Sequence, residues 1–265
     1  MTNILKRSLN SLEARLAHRK RMKAASRTTE EYGLSATFKD QFSEFKQSHD
    51  SLSRSEPVRW EDRYPCLEDS TTETPFDRHY LYHPAWAARV LARTLPEYHV
   101  DISSLLSFCT IVSAFIPVRF YDFRPAPISL TDLHCGQADL TALPFEDNSL
   151  PSVSCMHVIE HIGLGRYGDP LDGDADRKAL RELTRVLKPG GTLLIAVPVG
   201  RSRVQFNAHR TYDHLQFREY LRDLRLQEFA LIPDGPATNG YILDATDELV
   251  RRQTYGCGCY WFVKD

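Results

Sequence analysis

No run of apolar residues reaches the roughly 18 that a membrane-spanning helix needs. The first 27 residues also lack the apolar stretch and small-residue cleavage site of a secretory leader. A charge bias of either sign is missing too: 33 Lys and Arg stand against 35 Asp and Glu, a formal net charge of −2. That balance gives no basic excess of the kind that draws a protein to nucleic acid. Cysteine is sparse, six residues scattered at 66, 109, 135, 155, 257 and 259, mostly among apolar neighbours. In a chain of 265 residues this reads as reduced core thiols, not a disulfide framework. No internal repeat appears. What is present is ordinary for a water-soluble protein, 42% hydrophobic and 26% charged residues, so the expectation is a cytoplasmic α/β or α+β protein.

The charge that exists is unevenly placed. Up to Arg27 there are eight basic residues and one acid, Glu13, a local charge of +7 that leaves −9 for the remainder. Leu5, Leu9, Leu12 and Leu16 fall at helical spacing, so this segment reads as a basic amphipathic helix. Three uses fit it: docking on an anionic membrane surface or an acidic partner, an organelle transit peptide, or a solvated helix packing its leucines on its own protein or a second copy. The first would place the protein at the periphery of a membrane. Residues 28 to 75 are polar, with little periodicity, and read as a partly mobile extension with short helical pieces. The expected division is therefore 1–75, a basic helix plus extension, and 76–265, an ordered α/β domain.

In that second part, short apolar runs alternate with helical periods. Tyr82–Leu95 reads as a helix with Pro84 near its start, and Leu105–Ile116 as a second, stopped by Pro117. Strands are expected at His99–Ile102, Val118–Tyr121, Ser152–His157 and Thr192–Val197, with further strand-like runs at Glu228–Pro233 and Gly258–Val263. Asp174–Lys188 is an amphipathic helix, followed by a turn at Pro189-Gly190-Gly191. Such alternation implies a doubly wound, mostly parallel sheet with helices on both faces. Ligands then bind beyond the carboxyl ends of the strands. The strand ends deliver Asp101, Asp122, Asp139, just after a third strand expected between Asp122 and it, and His157. A carboxylate after the second strand suits a ribose diol, and one after the third can accept from an adenine amino group. Any single one is equally a polar residue closing a turn.

Three blocks carry a resemblance. Asp139-Leu-Thr-Ala-Leu-Pro-Phe-Glu-Asp-Asn-Ser149, Val158-Ile-Glu-His161, and Leu183-Thr-Arg-Val-Leu-Lys-Pro-Gly-Gly191 followed by Thr192–Pro198 occur in order and at the right spacing. From about His99 to Gly200 the chain resembles the class I S-adenosylmethionine (SAM) dependent methyltransferases, which implies a seven-stranded Rossmann-like sheet. More narrowly, Asp101-Ile-Ser-Ser104, Phe120-Tyr-Asp-Phe-Arg-Pro125 and Phe206-Asn-Ala-His-Arg210 resemble a methyltransferase-like family associated with surface-glycan biosynthesis. The resemblance implies that Asp101, Ser103 and Ser104 hold the methionine end of SAM, that Asp122 binds the ribose, and that Asp139 and Leu140 flank the adenine. It implies O-methylation of a glycan or glycolipid precursor. His157 is the first candidate base and His209 the second; the alternative for His157 is a structural histidine bonded to a neighbouring loop. His161 reads as structural, and Glu160 as a cap on the following helix. Arg166, Arg201, Arg203, Asn207 and Arg210 would meet an anionic acceptor such as a phosphorylated or nucleotide-linked sugar, or are solvated loop residues.

One departure stands out. Where the superfamily's first loop is rich in glycine, this chain has Ser103, Leu105 and Ser107. A branched side chain at 105 occupies a place that usually has none, which means either another loop path or a weakened or absent SAM site. The last case would leave a non-catalytic binding or scaffold module of the same fold. Three other patterns fail on spacing. Gly163-Leu-Gly-Arg-Tyr-Gly168 matches a dinucleotide fingerprint but lacks the adjoining strand and helix. Asp172-Gly-Asp-Ala-Asp176 opens like a calcium loop, but Arg177 and Leu183 stand where glycine and glutamate belong. Cys257-Gly-Cys259 has no second pair at zinc spacing, so no metal is expected.

Overall fold

The computed structural model describes residues 36–52, 54–235 and 240–265. The basic segment at 1–27 therefore lies outside the described residues. The described residues divide into two units, those up to Pro75 and Phe76–Asp265. In the first, helix α1 (Ala36–Ser51) places Phe38 and Phe42 one turn apart, and their rings meet Trp60 at 6.1 and 5.0 Å. Arg63 lies over that indole ring at 4.5 Å.

The second unit opens with α2 (Arg78–Thr94). It begins four residues before the expected start because the Asp77 carboxylate accepts the Tyr80 N–H at 3.1 Å and satisfies an otherwise orphaned donor. Pro84 consequently sits inside the helix, not at its head. The remaining elements follow in order: β1 (His99–Ile102), α3 (Leu106–Val112), β2 (Val118–Asp122), β3 (Leu133–Gln137), β4 (Leu150–Met156), α4 (Ala175–Val186), β5 (Leu187–Val199). Then come the hairpin strands β6 (Arg203–Gln205) and β7 (His209–Thr211), α5 (His214–Glu219), β8 (Arg225–Ile232), β9 (Ile242–Leu243), α6 (Asp247–Arg251) and β10 (Gly256–Val263). Where a turn was expected at Pro189-Gly190-Gly191, β5 runs through. Gly190 adopts φ +72° and donates to Lys264 O at 2.7 Å, so the bend is absorbed by pairing beside β10.

The main sheet has eight strands in the order β3-β2-β1-β4-β5-β10-β8-β9. Strands β1 to β5 pair in parallel, and β10 inserts antiparallel between β5 and β8. The expected seven strands are thus joined by one two-residue edge strand, β9. A buried core covers each face. Ala179, Leu180 and Leu183 of α4 pack with Phe217 and Tyr260 on one side. Trp86, Val90 and Leu91 of α2 pack with Phe108 of α3 on the other. Between β1 and β4 the strand order reverses direction, which opens a crevice at their carboxyl ends.

Arg185 fixes the segment between β3 and β4. It donates to Leu143 O (3.0 Å), Phe145 O (2.8 Å), Asp147 and Glu182, while Glu182 accepts the Leu143 N–H at 2.7 Å. Replacing Arg185 by Ala leaves two carbonyls and a half-buried carboxylate without their donor. An unfolding free energy lower by about 2–3 kcal/mol is expected from urea denaturation. Arg185→Lys should recover less than half, because an ammonium cannot reproduce the planar fork.

Candidate functional site

The ends of β1, β2, β3 and β4 converge on one cavity of about 230 Å³, far more than the roughly 10–15 Å³ a single water needs. Ser103 follows β1, Asp122 ends β2, Asp139 and Leu140 follow β3, and His157 follows β4; all of them line it. The far wall is the 162–172 loop, with Tyr167, Asp169 and Pro170. All three glycines of the fingerprint-like run take positive φ, between 71 and 84°. The Asp169 carboxylate gathers this loop, accepting the N–H groups of Gly163 (2.7 Å), Gly165 (3.3 Å) and Tyr167 (3.1 Å).

Ser103 takes φ +60°, the left-handed conformation that glycine usually supplies, so the loop keeps a glycine-like path with a hydroxymethyl added. Leu105 turns the other way: it packs against the cluster of Trp86, Val90 and Phe108, and is not part of the cavity wall. The crevice therefore stays open despite the branched side chain. Asp122 Oδ1 accepts the Arg124 N–H at 2.7 Å, which leaves Oδ2 to a ligand. Asp139 Oδ1 holds the Thr141 N–H and hydroxyl at 2.8 and 2.7 Å, and buried Leu140 supplies the apolar floor beside it. These residues fit an adenosine: two carboxylates at successive strand ends and an apolar surface between them.

Asp101 and Ser104, expected to touch the cofactor, do not line the cavity. Asp101 is fully buried, where its carboxylate accepts the Ser104 N–H at 2.9 Å and the Ser154 hydroxyl. Ser104 Oγ in turn accepts the Met156 N–H at 2.9 Å. Ser154 also meets His99 Nε2 at 2.8 Å, and His99 Nδ1 meets Ser152 at 2.8 Å. The chain of bonds stitches β1 to β4 behind the cavity. Burial pushes the Asp101 carboxyl up to about 6, against the opposing hydrogen bonds from Ser154 and Ser104. The same burial pushes His99 down to about 3.

His157 also has positive φ, +56°, and its N–H donates to Ala196 O at 2.7 Å. Its Nδ1 meets Glu160 Oε1 at 2.7 Å, and its Nε2 is buried with no partner. Glu160 is thus bonded to His157 and does not cap a helix; the expected helix there is a single 3-10 turn, Ile159–His161. Burial pushes the Glu160 carboxyl up, but the charges of His157 and His161 and the hydrogen bond outweigh it and hold it below its usual range. Around His157 stands a column of rings. Tyr80 and His79 stack on it at 5.3 and 5.2 Å, and Tyr255 stacks on His79 at 5.3 Å. His209 meets Tyr255 at 4.9 Å, and its Nε2 is buried without a partner. Burial pulls His79 down to about 4, with the charge of His157 adding to it, and lowers His209 too.

The basic residues expected at the acceptor do not line the cavity. Arg210 is buried, donating to Ile162 O at 2.6 Å and facing Asp176 at 3.6 Å, and so is committed to structure. Arg201, just before β6, and Asn207, in the β6–β7 turn, are exposed, and Arg203 donates along β6 to Gln205 at 3.2 Å. Arg166 donates to Ala208 O at 3.1 Å and lies over Tyr167. The cation that does reach the cavity is Arg124, over the Tyr167 ring at 4.7 Å; the sequence reading passed over it, although it stands two residues beyond Asp122. His79, Tyr80 and Tyr255 were missed for want of any local signal, being brought in by α2 and the β10 approach.

The profile of a family described as Caenorhabditis protein of unknown function, DUF268, matches residues 146–223, well under half the chain. No curated protein matches. Among solved structures, the chain is similar to the N-methyltransferase NodS of Bradyrhizobium japonicum WM9 in complex with S-adenosyl-L-homocysteine. The identity is 14%, 83% of this chain and 97% of that one are covered, and the TM-score is 0.50. It is similar also to a proposed sarcosine dimethylglycine methyltransferase from Galdieria sulphuraria: 15% identity, 70% and 85% coverage, TM-score 0.50. These likenesses establish the Rossmann-like methyltransferase fold.

Two outcomes follow from the loop after β1. Because the folded Asp101 carboxyl titrates near 6 and its ordinary value is 3.8, the folded state holds the proton more tightly. Its burial therefore costs nothing below about pH 4 and becomes fully unfavourable above about pH 6–7. In Asp101→Asn, the stability relative to wild type should improve by about 2.4 kcal/mol between pH 4 and 7.5, read from urea unfolding at both values. A difference independent of pH would place the titration elsewhere. Ser103→Gly should leave the melting temperature unchanged or higher, whereas Ser103→Val, β-branched at positive φ, should cost at least about 1 kcal/mol.

Proposed function

We propose that the chain is a SAM-dependent methyltransferase acting on an acceptor hydroxyl, of a glycan or glycolipid precursor. The observation that supports the reading is the meeting of Ser103, Asp122, Asp139, Leu140 and His157 at the switch point of this sheet. Bound SAM supplies an electrophilic methyl group on a sulfonium. Asp122 Oδ2 would accept from the ribose hydroxyls, Asp139 from the adenine amino group, and the backbone around Ser103 would lie against the methionine end. Fixing the donor in this way contributes to rate by positioning, since the acceptor oxygen must approach in line with the breaking bond. A hydroxyl must also lose its proton within hydrogen-bond reach of a base. Among the buried ring nitrogens without a hydrogen-bond partner are His157 Nε2, on a residue that lines the cavity, and His209 Nε2, whose ring meets Tyr255. Glu160 fixes the first by engaging the opposite ring nitrogen. The ring column of Tyr80, His79 and Tyr255 offers the flat apolar surface against which a sugar ring packs, with hydroxyls left to the imidazoles.

Calorimetry with S-adenosylhomocysteine tests the reading. Saturating ligand, at about 100 times its dissociation constant, should stabilise the fold by about 2.7 kcal/mol. Asp122→Ala should weaken binding roughly 10–100-fold, the loss of charge-assisted hydrogen bonds worth about 1.5–3 kcal/mol. Absence of binding at millimolar ligand supports the second reading, a scaffold module of the same fold, which the lack of glycine at Ser103, Leu105 and Ser107 in the first loop favours.

A further inference from the structure

His157 belongs to a group of donors whose other members, His79 and Cys257, have no part in the chemical step of the proposed methyl transfer. One ring nitrogen each of His79 and His157 and the Sγ of Cys257 lie within 4.8 Å of one another. They come from three distant parts of the chain: the first turn of α2, the residue after β4, and the second residue of β10. His157 and Cys257 are buried and His79 is half-buried. Since His157 Nδ1 is engaged by Glu160, the nitrogen left to this group is Nε2, which is buried and has no hydrogen-bond partner. An imidazole whose outer nitrogen donates to a carboxylate while the inner one points into a dry cluster is the usual second-shell arrangement of a metal-bound histidine. An orphaned acceptor at 2% side-chain exposure is otherwise an uncompensated cost.

We propose that His79, His157 and Cys257 form a divalent-metal site of the zinc type. The donor set suits the ion: two imidazoles and one thiolate match borderline-soft Zn²⁺ or Co²⁺ and not Mg²⁺ or Ca²⁺. Tetrahedral bonds of about 2.0–2.3 Å place donors roughly 3.3–3.8 Å apart, so the observed spacing must close by about 1 Å. The charge also suits it. Asp77, Asp234 and Glu160 all act on His79 in the sense that favours positive charge. On binding, the Cys257 thiol gives its proton to solvent and becomes the thiolate ligand. The ion, the thiolate and the Glu160 carboxylate then sum to zero around two neutral imidazoles.

The site deepens the methyl-transfer reading without depending on it. With an ion in place the His157 lone pair would be taken, so His157 would be a ligand and His209 Nε2 the imidazole nitrogen left to the proposed reaction. A bound ion would supply a Lewis acid beside the cavity-lining His157. In the proposed transfer the acceptor oxygen forms a bond to the methyl carbon as the carbon–sulfur bond breaks, leaving the methyl ether and S-adenosylhomocysteine.

The test is titration of the full-length, chelator-stripped protein with Co²⁺ in the absence of SAM or any analogue. One equivalent should bind, with the visible bands of tetrahedral cobalt and a near-ultraviolet thiolate-to-cobalt band that Zn²⁺ abolishes. Cys257→Ser should lose the thiolate band, and Glu160→Gln should weaken affinity about 10–100-fold through its hold on His157. Should Cys257→Ser fail to fold, His79→Gln, on a half-buried residue, must lose binding instead. No thiolate band in wild type, or an undiminished one in Cys257→Ser and His79→Gln, overturns the site. Because no SAM is present, either result stands apart from the outcome of the S-adenosylhomocysteine calorimetry.

Discussion

A single buried carboxylate sets the geometry of this crevice. Asp101 sits with no solvent exposure between β1 and β4, taking the Ser104 N–H and the Ser154 hydroxyl, while Ser104 receives the Met156 N–H. An ionised carboxylate without water is costly, and it is tolerated only because each bond also satisfies a group at the seam where the strand order reverses. Those bonds draw the chain after β1 down onto the end of β4, so that Ser103 must turn at positive φ and Leu105 swings into the core. They also fix the place from which His157 departs. Had this acid faced the cavity, the seam would lack its acceptor and the crevice its back wall.

Much of this was legible in the residues themselves. Alternating apolar runs gave the strands because parallel strands are buried on both faces and read as short, nearly continuous hydrophobic segments. Asp122 and His157 could be placed at the ligand side because each closes such a run, whereas Asp139 follows β3, whose Leu133-His-Cys-Gly-Gln137 sequence is not one. Asp101 follows the same pattern and was misread for that reason: a pattern of spacing says where a strand ends, not which way the last acid turns. Arg210 looked like an acceptor contact, but Asp176 and the Ile162 carbonyl, both far off in sequence, claim it. The start of α2 was missed because Pro84 is a stronger local signal than Asp77, although the cap decides the boundary. The ring column around His157 had no local signal, since His79, His157 and Tyr255 meet only once the sheet has formed.

The fold and the chemistry rest on different supports. An architecture of this kind hosts many activities, and function lies in the groups grafted onto its strand ends. Here those groups keep the two carboxylates that an adenosine needs, replace the glycine of the first loop by a serine in the same backbone conformation, and add a dry cluster of imidazoles with one glutamate. The substitution at Ser103 alters the space available to the methionine end more than it alters the loop's path. In the proposed reading, the imidazole cluster stands on the acceptor side.

The account turns on an adenosine being held across β1, β2 and β3 at the reversal point. A crystal structure with S-adenosylhomocysteine tests this most directly. The account predicts the ribose hydroxyls on Asp122, the adenine between Asp139 and Leu140, and the sulfur directed toward the ring column of His157. Density for the ligand at any other place, or a crevice that stays empty at saturating concentration, would contradict it.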